Sequence, residues 1–268
     1  MGKSEVSEVL WETIKTEYVG KTLIITLNRP NSLNAVNKQL TYEVDQCLLA
    51  AEENEEVWAI IITGSGRAFS AGADLKELSQ ANGKAYPKPA GGFAGIVEAN
   101  LSKPIIAAVN GLAFGGGAEI ALASDVVIAS ETARFGFPEV KRGIIAAAGG
   151  VLRLPRQIPQ KVAMMMVLTG EDVSAAEMER WGMVNQIVPP EELLSTALEL
   201  ADKITSNAPL AVQASKRLVL EGMDLPLHHS NQAWELNAQV INQVLQTEDA
   251  KEGPKAFAEK RAPVWKGR

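Results

Sequence analysis

Twice in this chain a β-branched run gives way to a glycine-flanked turn and then to a helical stretch. That repeat restricts the fold more than any other feature. The first turn reads Ala68-Phe69-Ser70-Ala71-Gly72-Ala73-Asp74-Leu75-Lys76 and follows Ile60-Ile61-Ile62-Thr63. The second reads Asn110-Gly111-Leu112-Ala113-Phe114-Gly115-Gly116-Gly117-Ala118-Glu119 and follows Ile105 to Val109. Strand and helix in alternation predict an α/β fold with right-handed crossovers. Small residues let a ligand approach backbone N–H groups, and a helix start leaves those donors unpaired. Two such starts facing one pocket would hold a negatively charged oxygen. The second also delivers Glu119 to the same place, which points to oxyanion stabilisation combined with acid–base work.

The rest of the chain fits this scheme. Thr22–Leu27 reads as a strand closed by Asn28-Arg29-Pro30-Asn31, and a helix is predicted over 37–53 with Leu40, Val44, Cys47 and Leu48 on one stripe. Val57–Thr63 is apolar on both faces, as a buried parallel strand requires. A short helix is predicted from about Asp74, a third strand over 105–109, a helix over 116–124 and a fourth strand over 125–129. The aperiodic stretch 80–92, rich in Gly, Pro, Ala and Lys, reads as a mobile surface segment, either a lid or a plain exposed loop. Beyond Arg156 helices are predicted over 160–168, 175–180, 191–206, 209–221 and 225–246. The expected organisation is an α/β core over 1–200 with a helical C-terminal region over 201–268 packed onto it. The long helix over 225–246 would serve an intersubunit contact or cover its own domain.

Composition narrows the function. The 268 residues are 46% hydrophobic and 22% charged, the balance of a soluble globular protein. A net charge of −6 argues against general affinity for nucleic acid or anionic membranes. The single cysteine, Cys47, has no partner for an internal disulfide and sits in a packed helix position, which suits a reducing, cytoplasmic setting. Neither a secretory signal nor a bilayer-spanning run is legible. Gly64-Ser65-Gly66 invites a dinucleotide reading, but Phe69 stands where the third glycine belongs. Ala68 to Gly72 resembles a nucleophile elbow without its first glycine, and the only histidines, His228 and His229, lie late in the chain. Side by side on a helix, two histidines point apart and make a poor metal site. Met164-Met165-Met166 reads as core packing.

Two carboxylates are better leads. Glu119 lies three residues after Gly116, on nearly the same helix side, among apolar neighbours. Glu139, in Phe135-Gly136-Phe137-Pro138-Glu139-Val140, is similarly framed. Such settings raise carboxyl pKa values, and two like charges disfavour double ionisation, so one group stays an acid while the other serves as base. With two N–H donors on a carbonyl oxygen, a water between the acids could be added to, or removed from, an activated double bond.

At these residues the chain resembles the crotonase (enoyl-CoA hydratase/isomerase) superfamily over nearly its whole length. The likeness runs from Asn28-Arg29-Pro30 and Leu33-Asn34-Ala35 through the two turns, Asp125, Pro138-Glu139, Gly149-Gly150, Arg153-Leu154, Thr169-Gly170 and Gly182-Met183-Val184 to Ala256-Phe257-Ala258-Glu259-Lys260-Arg261. It implies a crotonase-like α/β spiral of ββα units with a helical C-terminal trimerisation region, assembled as trimers or dimers of trimers. It implies an acyl-CoA substrate whose thioester oxygen lies between the N–H groups of Ala73 and Gly116. Glu119 would activate water and Glu139 would protonate the α-carbon. CoA contacts are implied at Leu33, Ala35, Ala71, Ala73, Asp74, Leu75, Lys76 and Gly116, with Phe257 and Lys260 reaching the CoA of a neighbouring subunit. Coenzyme A enters as part of the substrate, and neither a metal nor a redox cofactor is implied.

Gly91-Gly92-Phe93-Ala94-Gly95, Gly149 to Pro155, Arg180-Trp181-Gly182 and the tail Pro263 to Arg268 resemble the branch that acts on crotonobetainyl-CoA. One departure is Gly143-Ile144-Ile145-Ala146-Ala147-Ala148, where relatives carry a proline after the Gly-Ile pair. Its loss leaves a plainer, less rigid wall that suits a small apolar enoyl group at least as well. The expected reaction is reversible hydration of a short 2-enoyl-CoA. Double-bond isomerisation, or a non-catalytic RNA-binding or scaffold role, are the alternatives.

Overall fold

The computed structural model describes residues 10–80 and 88–268. Most of the segment expected to be a lid or exposed loop, residues 81–87, lies outside them. In chain order the chain forms β1 (Ile14–Val19), β2 (Thr22–Leu27) and α1 (Lys38–Glu53). A repeated unit follows: a long strand, a three-residue strand and a helix or turn. The first is β3 (Ala59–Gly64), β4 (Ala68–Ser70), α2 (Leu75–Gln80). The second is β5 (Ile105–Val109), β6 (Leu112–Phe114), α3 (Gly116–Ala123), and the third is β7 (Val126–Ser130), β8 (Arg134–Gly136) and the 3-10 turn Pro138–Arg142. Then come α4 (Gly150–Gln157), α5 (Gln160–Thr169), β9 (Asp172–Ser174), α6 (Ala175–Trp181) and β10 (Gln186–Val188). The chain finishes with α7 (Leu193–Thr205), α8 (Pro209–Gly222), α9 (Gln232–Leu245) and α10 (Glu248–Glu259).

The long strands make one sheet in the order β1-β2-β3-β5-β7-β10, parallel except for the β1–β2 hairpin. The short strands make a second sheet in the order β4-β6-β8-β9, whose first three strands run parallel. This is the expected spiral of ββα units. The period of two along each strand divides the core. Ile60 and Ile62 pack with Leu23, Leu40 and Phe69, whereas Ile61 faces Ile24, Ile106 and Ile128 beneath Ala197 and Ala201 of α7. Burial on both faces explains the unbroken apolar run of β3. Asn37 opens α1 by accepting the Leu40 N–H at 2.9 Å. Helix α8 is tied to the core by Lys216, whose Nζ lies 2.7 Å from Asp125 Oδ2 and donates to Lys103 O.

Three expectations need correction. The helix predicted over 225–246 is shorter, because α9 starts only at Gln232. Pro226 has no N–H to give a helix, and His229 adopts φ +66. His228 and His229 therefore lie in a loop rather than on a helix. Of the Met164–Met166 run only Met166 is buried, while Met164 and Met165 face outward.

Asn34 joins the first loop to β4. It is buried at φ +54, accepts the Arg29 N–H, and donates to Ser65 O and Ala68 O at 2.9 and 2.8 Å. Asn34→Ala strands those groups and places an alanine in the left-handed region. Chemical denaturation should register a loss of about 3 kcal/mol.

Candidate active site

The parallel pairing of β4, β6 and β8 brings the turns that follow them side by side. Gly115 N–H donates to Gly136 O at 2.9 Å, joining the second turn to the third. Gly72, at φ +86, presses on the second turn so closely that a Cβ there would lie 2.7 Å from Phe114 O and 2.9 Å from Gly116 N. Ala73 is the next residue. Its bridge to Val36 is made by Gly72 O and by Asp74 N–H, which leaves Ala73 N–H out of the pairing. Gly116 N–H opens α3 and has no intrahelical acceptor. Among the described residues neither N–H is taken up by a hydrogen bond. The ring of Phe93 fills the space that a side chain at Gly116 would occupy.

Glu119 stands one turn along α3, 3% exposed. Its Oε1 accepts the Gly150 N–H at 2.8 Å, at the start of α4. Phe137 Cε1 and the Ala146 Cβ crowd the same spot. Burial pushes the Glu119 carboxyl up to about 7, the Gly150 N–H opposes that shift, and the nearby Glu139 charge adds to it. Glu139 follows β8 on the 3-10 turn, and burial raises its carboxyl as well. Its Oε1 lies 2.7 Å from where a Cβ of Gly115 would be, and its Oε2 is buried without a hydrogen-bond partner. The two carboxyls thus lie within electrostatic reach of each other, one beside the turn that holds Gly116 and one a helical turn away.

The other sequence-predicted residues divide into two groups. Leu33, Ala35, Ala71, Ala73 and Asp74 come together. Ala71 N–H donates to Leu33 O at 2.9 Å, and Arg29 donates to both Ala35 O and Asp74. Burial opposes ionisation of Asp74, yet the Arg29 guanidinium and backbone N–H groups hold it below the usual carboxylate range. Its carboxylate is therefore committed to the loop. Leu75 and Lys76 are exposed on α2 beside it. A cavity of about 720 Å³ opens next to these residues, lined by Val36, Tyr42, Ala73, Leu78 and Phe93. Phe257 and Lys260 do not join it. They sit on and at the end of α10, with Phe257 87% exposed.

Sequence reasoning passed over three contributors. Arg29 and Gly150 were noted only as parts of matching stretches. Phe93 lay in a glycine-rich run whose role no periodicity reveals. Among the described residues no group of three His, Cys, Asp or Glu side chains could hold a metal ion, and no helix is long and apolar enough to cross a membrane.

Two backbone donors on neighbouring turns, two carboxyls raised toward neutrality and an adjoining apolar cavity suit an acid–base enzyme acting on a polarised carbonyl compound. Residues 19–268 match the enoyl-CoA hydratase/isomerase family, and the chain belongs to it. Carnitinyl-CoA dehydratase of Salmonella typhi is 44% identical over 254 residues, which span 93% of this chain and 96% of the relative. Carnitinyl-CoA hydratase from Mycobacterium avium is 50% identical with a TM-score of 0.75, covering 96% of this chain and 99% of that one. Enoyl-CoA hydratase from Mycobacterium tuberculosis H37Rv is 38% identical with a TM-score of 0.90 at the same coverage.

The raised Glu119 carboxyl has a consequence for stability. The folded state holds this proton more tightly than the unfolded chain. The resulting stabilisation is complete below the ordinary value of 4.5 and is lost as pH rises through about 7. Glu119→Gln keeps an acceptor for Gly150 but has no proton to lose. The variant should match the wild type near pH 4.5 and exceed it at pH 8 by about 3 kcal/mol, read from denaturant unfolding at both pH values.

Proposed function

We propose that the protein adds water reversibly across the 2,3 double bond of a short 2-enoyl-CoA thioester. The observation that carries this reading is the pair of raised carboxyls, buried Glu119 and half-buried Glu139, beside the neighbouring N–H groups of Ala73 and Gly116. The thioester oxygen accepts from both N–H groups, so negative charge developing at the α-carbon spreads onto an oxygen already solvated by the protein. Each such donor is worth about 3 kcal/mol. Glu119, kept as an acceptor by the Gly150 N–H, takes a proton from water as its oxygen attacks the β-carbon. Glu139 lies against Gly115, in the turn that carries Gly116. It delivers a proton to the α-carbon. Water is consumed, no electrons leave the system, and the reverse path dehydrates a 3-hydroxyacyl-CoA.

Crotonobetainyl-CoA and crotonyl-CoA are the substrates to compare. Relatives named for carnitinyl-CoA favour the first. The plain Gly143–Ala148 wall, with Ala146 beside Glu119, favours a small uncharged group equally. Leu33, Ala35, Ala71, Asp74, Leu75 and Lys76 form the CoA side of the site, and coenzyme A is the only carrier group the reaction involves. The protein works in the cytoplasm. Consistent with that, burial pushes the Cys47 thiol up to about 12, where it is inert.

Purified protein should bleach the enoyl thioester absorbance of crotonyl-CoA or crotonobetainyl-CoA. A protein that binds acyl-CoA but hydrates neither would overturn the assignment. Glu119→Gln should slow hydration by about 10²–10⁴-fold while sparing double-bond isomerisation, for which Glu139 alone suffices. Wild-type kcat/KM should climb with pH through about 7 as Glu119 ionises, and the variant should lack that limb.

We further propose that the chain divides near position 200 into a spiral core and a helical region, and that copies associate as trimers or dimers of trimers. Met165 and Leu168 on α5, and Leu220, Trp234 and Leu245 on α8 and α9, leave apolar surface exposed that association would cover. Phe257 and Lys260 would then meet the CoA of a neighbouring copy. Sedimentation equilibrium should return the mass of three or six 28.7 kDa chains.

A further inference from the structure

The segment from Gly91 to Gly95 is held in a conformation that local sequence preference does not supply. Gly92 and Gly95 have φ of +71 and +68, and the intervening Ala94, which is buried, has φ +54. A buried alanine in the left-handed region persists only where its surroundings over-determine it. Here the determinant is α1. Asp45, itself buried, accepts the Gly91 N–H through Oδ1 at 3.0 Å. Gly95 lies so close to α1 that a Cβ would overlap Asp45 N and approach Thr41 O to 2.6 Å. Glu98 N–H closes the loop on Gly91 O at 2.9 Å.

The residue this clasp presents is Phe93. Its ring rests on the α-carbon of Gly116 and also lines the cavity beside Ala73. It therefore stands beside Gly116, one of the two donors proposed for the thioester oxygen, and borders the cavity that Ala73, the other, also lines. A substituent on the carbon adjoining that carbonyl would meet the ring first.

We propose that Phe93 is a specificity-determining residue that excludes enoyl-CoA substrates branched at C2, and that Asp45 is the positioning residue that holds it there. This inference rests on the hydratase reading above. The ring admits a hydrogen at C2 and rejects a methyl. A single methyl or methylene against a fixed apolar wall changes discrimination by about 10–200-fold.

The experiment compares kcat/KM for 2-methylcrotonyl-CoA and crotonyl-CoA. Phe93→Ala should raise the branched-to-linear ratio about tenfold or more. Phe93→Leu should shift it in the same direction and carries the test if the alanine variant does not fold. Asp45→Ala should reproduce the shift, whereas Asp45→Asn, which retains an oxygen acceptor for the Gly91 N–H, should restore the wild-type ratio. A ratio unchanged in the folded Phe93 variants overturns the proposal, as does an equal loss on both substrates, which marks a general packing or CoA contact. A shift in the Phe93 variants without one in Asp45→Ala removes Asp45 from it. Dissociation constants for the saturated butyryl-CoA and 2-methylbutyryl-CoA, measured by calorimetry on the same proteins, separate this inference from its foundation. If the wild type turns over no enoyl-CoA, the hydratase reading falls, while the affinity ratio still decides the role of Phe93. If the wild type binds neither thioester, both fall.

Discussion

The parallel pairing of three very short strands, β4, β6 and β8, governs this site. Each is three residues long, and each ends in a turn that the next strand holds in register. Their pairing sets Ala73, Gly116 and Glu139 on successive turns of one stack, although they come from three separate crossover units. The hydrogen bond from Gly115 N–H to Gly136 O and the close approach of Gly72 to Gly116 N fix the spacing. The larger sheet supplies rigidity behind them. Its strands β3, β5 and β7 feed the short strands one by one, and apolar side chains on both faces lock their order.

That framework accommodates a cost. Glu119 is buried among Ile120, Phe137 and Ala146, where an ionised carboxylate is poorly solvated. The N–H of Gly150 at the start of α4 offsets part of the penalty and keeps Glu119 Oε1 an acceptor. Glu139 adds like charge instead of relief, which lifts the Glu119 carboxyl further. The same burial that weakens the fold at alkaline pH gives the proposed base a pKa matched to its working range. Arg29 makes a complementary contribution: it spends its charge on Asp74 and Ala35 O, which steadies the first turn rather than the reacting atoms.

Much of this was legible from residue order. Unbroken apolar runs marked β2, β3 and β5, the stripe Leu40, Val44, Cys47 and Leu48 marked α1, and Gly116 opened the expected α3. The acid pair was legible because two glutamates stood among apolar neighbours. The strands β4, β6 and β8 were not, since three residues carry no period that separates strand from turn. The β1 strand, IKTEYV, is polar at its exposed positions and joins the sheet only by pairing with β2. The start of α9 was misplaced because the helical reading was carried back to Leu225 across 228–231, where no apolar residue supports it, and Pro226 and the left-handed His229 interrupt the backbone. Phe93 gave no signal beyond its place in a family-like run: its position depends on Asp45, 48 positions earlier, and on glycines whose φ a sequence does not state.

Residue order by itself determined the alternation of strand and helix, the glycine-bearing helix starts and the identity of the two acids, because these follow from local sterics, periodicity and side-chain chemistry. Tertiary structure alone decided which backbone donors became neighbours, how far each carboxyl was lifted toward neutrality, and what wall stands against Gly116. Those outcomes depend on register between strands distant in the chain and on the solvent each group loses, and neither quantity is stored in any single stretch of sequence.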